Sequence, residues 1–512
     1  MDLLTEHLTS HDPRTGLAVD HLPASTPEEV ATAIALAGSA APAVAAAAPA
    51  ERAGWLRCLA DALEEAADDL AAVADEETGL GRERLDSEVL RAAAQLRHYA
   101  DAAVEGAWLE ATIDHAAGAA GSDLRRANVP LGPVAVFAAC NFPFAFGVPG
   151  HDTGAALAVG CPVVAKGHPA QPRLSAAIAA VMTAALDDAG APAGTFGLVS
   201  GFPAGEQLVL HPAITAVAFT GSPAGGFALC RLAASRPVPI PVFAELGTVN
   251  PVVVTPAAAA ERGDVIATGL VDSATLGTGQ FCTKPGLVLF PAGSGLDARA
   301  GEKLADRAPQ GWLLTEGIAS AYAVGVGALL AAGGVLLAHA AAPTSGWAVS
   351  ATVVSATAEQ VLSQPVFHHE CFGPVTVLVA YESTAQRDAV LAAVPGALAA
   401  SVFAEPEETA ELADLVARLS SRAGRVVVND FPTGVATSWA QHHGGPWPAT
   451  TAPAYTSVGA GGLRRFVRPV CLQDAPEAVQ PPAVRDDNPW RVPQRVDGRL
   501  RTTTRRSPKG AR

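Results

Sequence analysis

Cys282 stands in the stretch LGTGQFCTKPG, immediately before the apolar run GLVLF. Glycines at 277, 279 and 286 let a backbone approach a ligand closely, and a thiolate held there would be a covalent nucleophile. The other reading of a free cysteine is a small buried hydrophobe, which suits Cys58, Cys161, Cys230 and Cys471. Glu245 lies inside the otherwise apolar IPVFAELGTVNPVVV. A carboxyl there is either a hydrogen-bonded structural group or a general base whose proton affinity is raised by its surroundings. AFTGSPAGG (218–226) reads as a strand, a Gly/Ser turn and a helix start. That order aims N–H groups and a helix N-terminus at an anion such as a pyrophosphate, with Gly221, Ser222 and Gly226 as contacts, although the spacing is not GxGxxG. Lys166 is one of only four lysines against 30 arginines and ends the run CPVVAK. It falls at the C-terminal end of an expected strand, where open α/β sheets bind ligands.

These residues need elements to hold them. GPVAVFAA, CPVVAKGHP, FGLVSG and ITAVAFTGS read as short buried strands separated by helix-length segments. Strands of four to eight residues alternating with helices imply βαβ units and a parallel sheet. The alternation restarts after Glu245 with PVVVT, a helix over 263–277, GLVLF, and later VTVLVA, ASVFA and RVVVN, so two successive α/β lobes are expected, joined by right-handed crossovers. Upstream, residues 26–105 read as helices. Ser25-Thr26-Pro27-Glu28-Glu29 is a helix start, and Leu56, Leu59, Leu63, Leu70 and Val73 mark one apolar helical face.

Length and charge narrow the function. At about 150 residues per domain, 512 residues suggest two to four domains or two large lobes. A net charge of −16 argues against a nucleic-acid or anionic-membrane surface. Seven cysteines without a CxxC pair argue for a reducing, cytoplasmic compartment and against a zinc ribbon, and no metal ligand set is expected. Two uncharged stretches mimic membrane spans. Residues 30–50 are broken by Pro42 and Pro49, and residues 317–343 resolve into a helix ending near Ala332, a Gly-Gly stop and a strand at VLLA. The final residues, 495–512, carry seven basic groups against Asp497 alone and read as a solvated, disordered tail.

Six short motifs then recur in one order: NFP at 141–143, VVAK to Lys166, FTGS at 219–222, ELG at 245–247, GQFC to Cys282 and ECFGP at 370–374. Together they resemble the aldehyde dehydrogenase superfamily, NAD(P)-dependent enzymes that oxidise aldehydes to acids, over residues 20–480. The resemblance implies Cys282 as nucleophile and Glu245 as the base that activates water. Asn141, with the Cys282 backbone N–H, would be the oxyanion donor. It implies Lys166 and Glu370 on the two riboses of the cofactor, Ser222 on the pyrophosphate and Phe372 at the nicotinamide end. The implied fold is a Rossmann-like cofactor domain (1–116 and 133–244), a catalytic domain (245–433) and a small β-flap (117–132 and 463–480) that joins a homodimer or homotetramer. Pro169, with His168 beside it, replaces the acid that NAD-selective relatives often carry, so NAD and NADP both stay open. Lys284 either depresses the Cys282 pKa, attracts an anionic substrate, or turns outward. The C-terminal stretch FPTGVATSWAQHHGGPWPATTAPAYTSVGAGGLRRFVRPVCLQ is similar to the branch of 2-oxoglutarate semialdehyde dehydrogenases and some NADP-dependent fatty aldehyde dehydrogenases. Its rivals are release of the acyl group to coenzyme A, which Glu245 argues against, and a silent nucleotide-binding homologue.

Overall fold

The computed structural model describes residues 7–118 and 121–502. The first lobe is built on a five-stranded parallel sheet. Its spatial order is Phe196–Val199, Val163–Lys166, Val134–Phe137, Ala216–Gly221, Val242–Leu246. Each central strand is a short, nearly all-buried run (VVAK and VAVF among them), as expected for strands covered on both faces by helices. The order reverses beside Val134–Phe137, which leaves a crevice at the C-terminal ends of the strands.

The N-terminal helices cover this sheet. Thr26 caps the helix Pro27–Ala46 in a reciprocal capping box with Glu29, which satisfies two otherwise orphaned N–H groups. Pro42, expected to break this segment, sits inside the helix, which continues to Ala46. Among the described residues this is the one helix long and apolar enough to cross a membrane. Its Val30, Ile34 and Ala37 are buried against Ala135, Val164 and Val199 of the sheet. The apolar face expected over residues 56–73 belongs to two helices, Pro49–Glu65 and Ala67–Thr78, because the backbone leaves helical geometry at Ala66.

The second lobe holds seven strands. Five, over Thr352–Thr357, Val375–Tyr381, Leu287–Pro291, Pro251–Val254 and Ala397–Phe403, lie in that spatial order and run parallel. Ala423–Val428 extends one edge in parallel and Val335–His339 the other antiparallel. The helix expected over 263–277 runs Pro256–Thr275, and the helix Glu316–Ala331 stops before Gly333-Gly334 as its composition suggests.

A third sheet of five strands stands apart. Ser122–Pro130 pairs antiparallel with Val467–Gln473 and with Thr112–Ala117. The remaining strands correct the expected tail. Gln494–Val496 pairs parallel with Thr112–Ala117, and Arg499–Arg501 folds back on it, so residues 495–501 are strand and turn here. Alternation supplies the reason: Gln494 and Val496 turn inward while Arg495 faces out, a half-buried strand pattern under the basic composition. Residues 503–512, the rest of that expected tail, lie outside the described residues.

Candidate active site

Glu245 is carried by the edge strand of the first sheet, opposite Thr220. A second chain segment crosses onto this strand from the other side. Leu246 N–H donates to Ala449 O (2.9 Å), Thr451 N–H donates to Ala244 O (3.1 Å), and Glu245 bridges to Thr450. The crossing brings the loop 443–458 over the carboxylate. His443 and Ser457 are tied to each other there, Ser457 N–H donating to His443 O at 2.8 Å.

Three reactive groups meet at this crossing. His443 Nε2 stands 2.9 Å from Glu245 Oε1 and 3.5 Å from Cys282 Sγ. The Ser457 hydroxyl donates to Glu245 Oε2 at 2.5 Å. Glu245 is 4% exposed and His443 1%. His443 Nδ1 has no hydrogen-bond partner among the described residues. Burial alone would raise the Glu245 pKa, but the charge and hydrogen bonding of His443, then Ser457 and Cys282, outweigh it and hold the carboxyl below its ordinary value. This corrects the expectation of a raised proton affinity: the apolar flanks are there, and partners from about 200 positions downstream, His443 and Ser457, override them. Burial, then the Glu245 and Glu370 charges, push the Cys282 thiol well above its ordinary value, so it is a neutral thiol at rest.

Cys282 is held by its backbone. Asn250, wholly buried, donates Nδ2 to Cys282 O (2.7 Å) and Lys284 O (3.1 Å), while its Oδ1 accepts from Ala399 N–H (3.1 Å) and the Thr248 hydroxyl. Gly279 sits at φ +66°, and a Cβ there would fall 2.4 Å from the Gly373 carbonyl, so only glycine lets the Cys282 and Glu370 loops pack backbone to backbone. Asn141 donates one amide N–H to Gln280 O at 3.0 Å, and an amide carries a second. Its own carbonyl accepts from Arg84 Nη2 (2.6 Å), whose guanidinium lies 4.9 Å from the Phe142 ring and 5.2 Å from Phe281.

A cleft of about 1090 Å³ runs from the strand ends of the first sheet to Cys282. Lys166 and His168 line one end, Gly221 and Ser222 the middle, and Asn141, Cys282, Glu245, Glu370 and Phe372 the other. Lys166 is 7% exposed and its ammonium lies 4.9 Å from the Phe202 ring. Burial, then Lys166, pushes the His168 imidazole down to about 3. Ser222 caps the helix Pro223–Ala234 by accepting from Gly225 N–H, which leaves the hydroxyl proton free to donate to an anion. Gly226 faces away: a Cβ there would meet Leu246 Cδ2 at 2.4 Å, so its smallness serves helix-on-strand packing, and Gly225 lines the cleft instead. Burial pushes the Glu370 carboxyl up to about 7 against the opposing pull of Lys284. A Cβ on Gly247 would land 1.8 Å from Glu370 Oε2, which explains the glycine after Glu245-Leu246.

Lys284 takes none of the three expected positions. It is 3% exposed and donates Nζ to Val375 O at 2.5 Å, facing the interior near Glu370 and Cys371. His443, Ser457 and Asn250 escaped sequence reasoning. One signal for His443 was present, the pair Gly444-Gly445 after it, since a Cβ at Gly445 would strike Ala397 O at 2.3 Å.

Comparison with known proteins fits this geometry. Residues 3–310 and 316–446 match the model of the aldehyde dehydrogenase family. The chain is 45% identical over 461 residues to alpha-ketoglutaric semialdehyde dehydrogenase 2 of Azospirillum brasilense, covering 88% of this chain and 87% of the relative. It is 39% identical over 459 residues to an alpha-ketoglutaric semialdehyde dehydrogenase of Acinetobacter baylyi, with the same two coverages. Its fold is similar to that of an aldehyde dehydrogenase from Bacillus cereus solved with NAD+ (TM-score 0.79, 23% identity, covering 91% of this chain and 93% of that one). A Pseudomonas syringae aldehyde dehydrogenase, solved with NAD+ and octanal, gives a TM-score of 0.78 at 22% identity, with coverages of 93% and 95%. A thiol, a carboxylate and a nucleotide-sized cleft converge in a chain that matches throughout its two lobes: this protein belongs to the aldehyde dehydrogenase family.

Proposed function

We propose that the chain oxidises 2-oxoglutarate semialdehyde to 2-oxoglutarate with NAD or NADP, through a thioester on Cys282. The observation that carries the chemistry is the placement of one imidazole nitrogen between the thiol and the carboxylate, 3.5 Å from Sγ and 2.9 Å from Oε1. The substrate rests on the two relatives that align over 88% of this chain.

A resting thiol must lose its proton to react. We assign the ring proton of His443 to Nδ1, which makes Nε2 the acceptor for the Cys282 proton, and the imidazolium so formed is stabilised by ionised Glu245. The thiolate attacks the aldehyde carbon, and the former carbonyl oxygen takes the negative charge. The second N–H of Asn141 and the Cys282 backbone N–H stabilise it, a contribution of about 3 kcal/mol per donor in such sites. NAD(P)+, when bound in the cleft, would supply the acceptor for the hydride that leaves this carbon, which leaves a thioester on Cys282. Lys166, Ser222, Glu370 and Phe372 are the residues that would hold the dinucleotide. Glu245, ionised because His443 pairs with it, takes a proton from water, and the hydroxide attacks the thioester. The acid departs, Cys282 regains its proton from His443, and Glu245 gives its proton up to solvent.

Seven free cysteines support a reducing cytoplasmic setting, and the exposed edge strand Val467–Gln473 supports self-association through the third sheet. The test is turnover of 2-oxoglutarate semialdehyde, hexanal and long-chain aldehydes with both cofactors, with and without coenzyme A. The C5 oxo acid should have the highest kcat/KM and give free 2-oxoglutarate, and Cys282→Ala should abolish turnover while cofactor still binds. Preference for long chains, an acyl-CoA product, or an active Cys282→Ala each refutes the reading.

A further inference from the structure

Glu245, Cys282 and His443 come from a sheet edge, a glycine-rich loop and a crossing segment, and their spacing along the chain matches no metal motif. In space they converge. A carboxylate, a thiol and an imidazole each offer one ligand atom here, and the three atoms lie within 4.8 Å of one another. Among the described residues no other trio of His, Cys, Asp or Glu side chains does so.

The separations suit a tetrahedral ion. Zinc bonds of about 2.3 Å to sulfur and about 2.0 Å to nitrogen or oxygen, at about 109°, set sulfur about 3.5 Å from nitrogen and nitrogen about 3.3 Å from oxygen. Cys282 Sγ stands 3.5 Å from His443 Nε2, and Nε2 stands 2.9 Å from Glu245 Oε1. An ion between them therefore asks Oε1 to withdraw by only about 0.4 Å. The donors are already oriented. Ser457 donates its hydroxyl to Oε2, which leaves Oε1 as the ligand atom. His443 is fixed through its backbone N–H, which donates to the Thr456 hydroxyl at 2.8 Å, and Asn250 holds the Cys282 carbonyl. Such outer partners set the direction of the ligands and strengthen a metal site. Entry is from the cleft, which Cys282 and Glu245 both line, and a water there would complete the coordination.

We propose that Cys282, His443 and Glu245 form an inhibitory binding site for Zn2+, with its fourth position open to the cleft. Thiolate, imidazole and a single carboxylate make a donor set for zinc rather than for magnesium or calcium, which take oxygens. On binding, the Cys282 S–H bond breaks, its proton passes to solvent and a sulfur–zinc bond forms, with no change of oxidation state. One ion then occupies the nucleophile, its proton acceptor and the water-activating base together. The inhibition rests on the catalytic reading above; the binding follows from the three ligand atoms alone.

The experiment titrates the chelator-treated full-length enzyme with Co2+, a spectroscopic stand-in for Zn2+, and follows Zn2+ itself by equilibrium dialysis. One equivalent per chain should bind, with a sulfur-to-cobalt charge-transfer band in the near ultraviolet and the strong visible bands of a tetrahedral ion. Cys282→Ala should lose the sulfur band. His443→Gln should weaken Zn2+ binding by about 100-fold or more, since outer partners alone are worth about 10- to 100-fold. In wild type, which needs no variant to fold, Zn2+ should protect Cys282 from iodoacetamide, read by mass spectrometry, while the exposed Cys58 and Cys471 stay reactive. Zn2+ should also stop aldehyde oxidation, Mg2+ should not, and EDTA should restore it. Binding without a sulfur band, a band that survives in Cys282→Ala, or an unprotected Cys282 overturns the site and leaves the catalytic reading intact. A band that Cys282→Ala removes, in an enzyme that Zn2+ leaves fully active, keeps the site and overturns the catalytic reading on which inhibition rests.

Discussion

Replacing His443 by glutamine tests whether the proton leaves Cys282 through the imidazole. The substitution keeps a polar side chain of similar reach and removes the only basic nitrogen within 3.5 Å of Sγ among the described residues. The thiol, held high by burial and by the Glu245 and Glu370 charges, then has no adjacent acceptor of suitable basicity. General-base assistance is worth about 10²- to 10⁴-fold, or about 3–5 kcal/mol of barrier. A second effect follows at Glu245. Its carboxyl lies below the ordinary value because His443 offsets the cost of burial, so without that partner burial prevails and the pKa rises. The assay is stopped-flow formation of reduced cofactor in the first turnover, at saturating aldehyde, from pH 6 to pH 10. Wild type should be nearly flat between pH 7 and 9. His443→Gln should fall by about 100-fold at pH 7 and climb with pH, as solvent hydroxide takes over the deprotonation. A first-turnover rate within a factor of about three of wild type at pH 7, about 0.65 kcal/mol of barrier, would show that the thiolate forms without His443.

The other predictions address Glu245 and its supports. Glu245→Gln should slow the first turnover, in which the carboxylate stabilises the imidazolium, and stall the second far more, giving a burst of reduced cofactor equal to the active sites and then a slow steady state; loss without a burst would confine the residue's role to the first step. Ser457→Ala removes one of the contacts that depress the Glu245 pKa. A carboxyl with a depressed folded pKa contributes stability above its unfolded value, and that contribution is lost as pH falls through the folded one. The variant should therefore lose activity at higher pH than wild type as the medium is acidified, by about one pH unit for one charge-assisted hydrogen bond, and an unmoved acid limb refutes the contact. Asn250→Ala orphans the carbonyls of Cys282 and Lys284 and the N–H of Ala399. It should cost about 2–4 kcal/mol of stability, read as a lower denaturation midpoint, together with a drop in cysteine reactivity.

Much of this site is legible in local sequence order. The strands of the first sheet are short apolar runs bounded by Gly and Pro, and Thr26 with Glu29 is a complete helix-start signal. Cys282, Glu245 and Asn141 lie in short stretches whose order along the chain is itself informative. What stayed hidden depends on where distant segments cross. His443 and Ser457 reach Glu245 only because residues 449–451 hydrogen-bond to the strand Val242–Leu246, about 200 positions earlier, and no local pattern announces such a pairing. The same crossing reversed the expected proton affinity of Glu245. Lys284 turned inward because a carbonyl on another strand accepts its ammonium, and Gly226 proved to be a packing glycine once Leu246 stood beside it. Residues 494–501 were masked by their basic composition, although the in–out alternation of Gln494, Arg495 and Val496 is that of a strand.

The scarcity and seclusion of lysine have a chemical corollary. Aldehydes condense with primary amines to form imines, whereas guanidinium is a far poorer partner. Of the four lysines, Lys284 is shut inside the protein, Lys166 is 7% exposed within the cofactor cleft, and Lys509 lies outside the described residues. Lys303, half-buried on the helix Leu296–Arg307, is the remaining side-chain amine in the described chain. A surface whose cations are arginines offers a carbonyl compound few places to cross-link, so this catalyst can work in its own reactive feedstock with little self-inflicted modification.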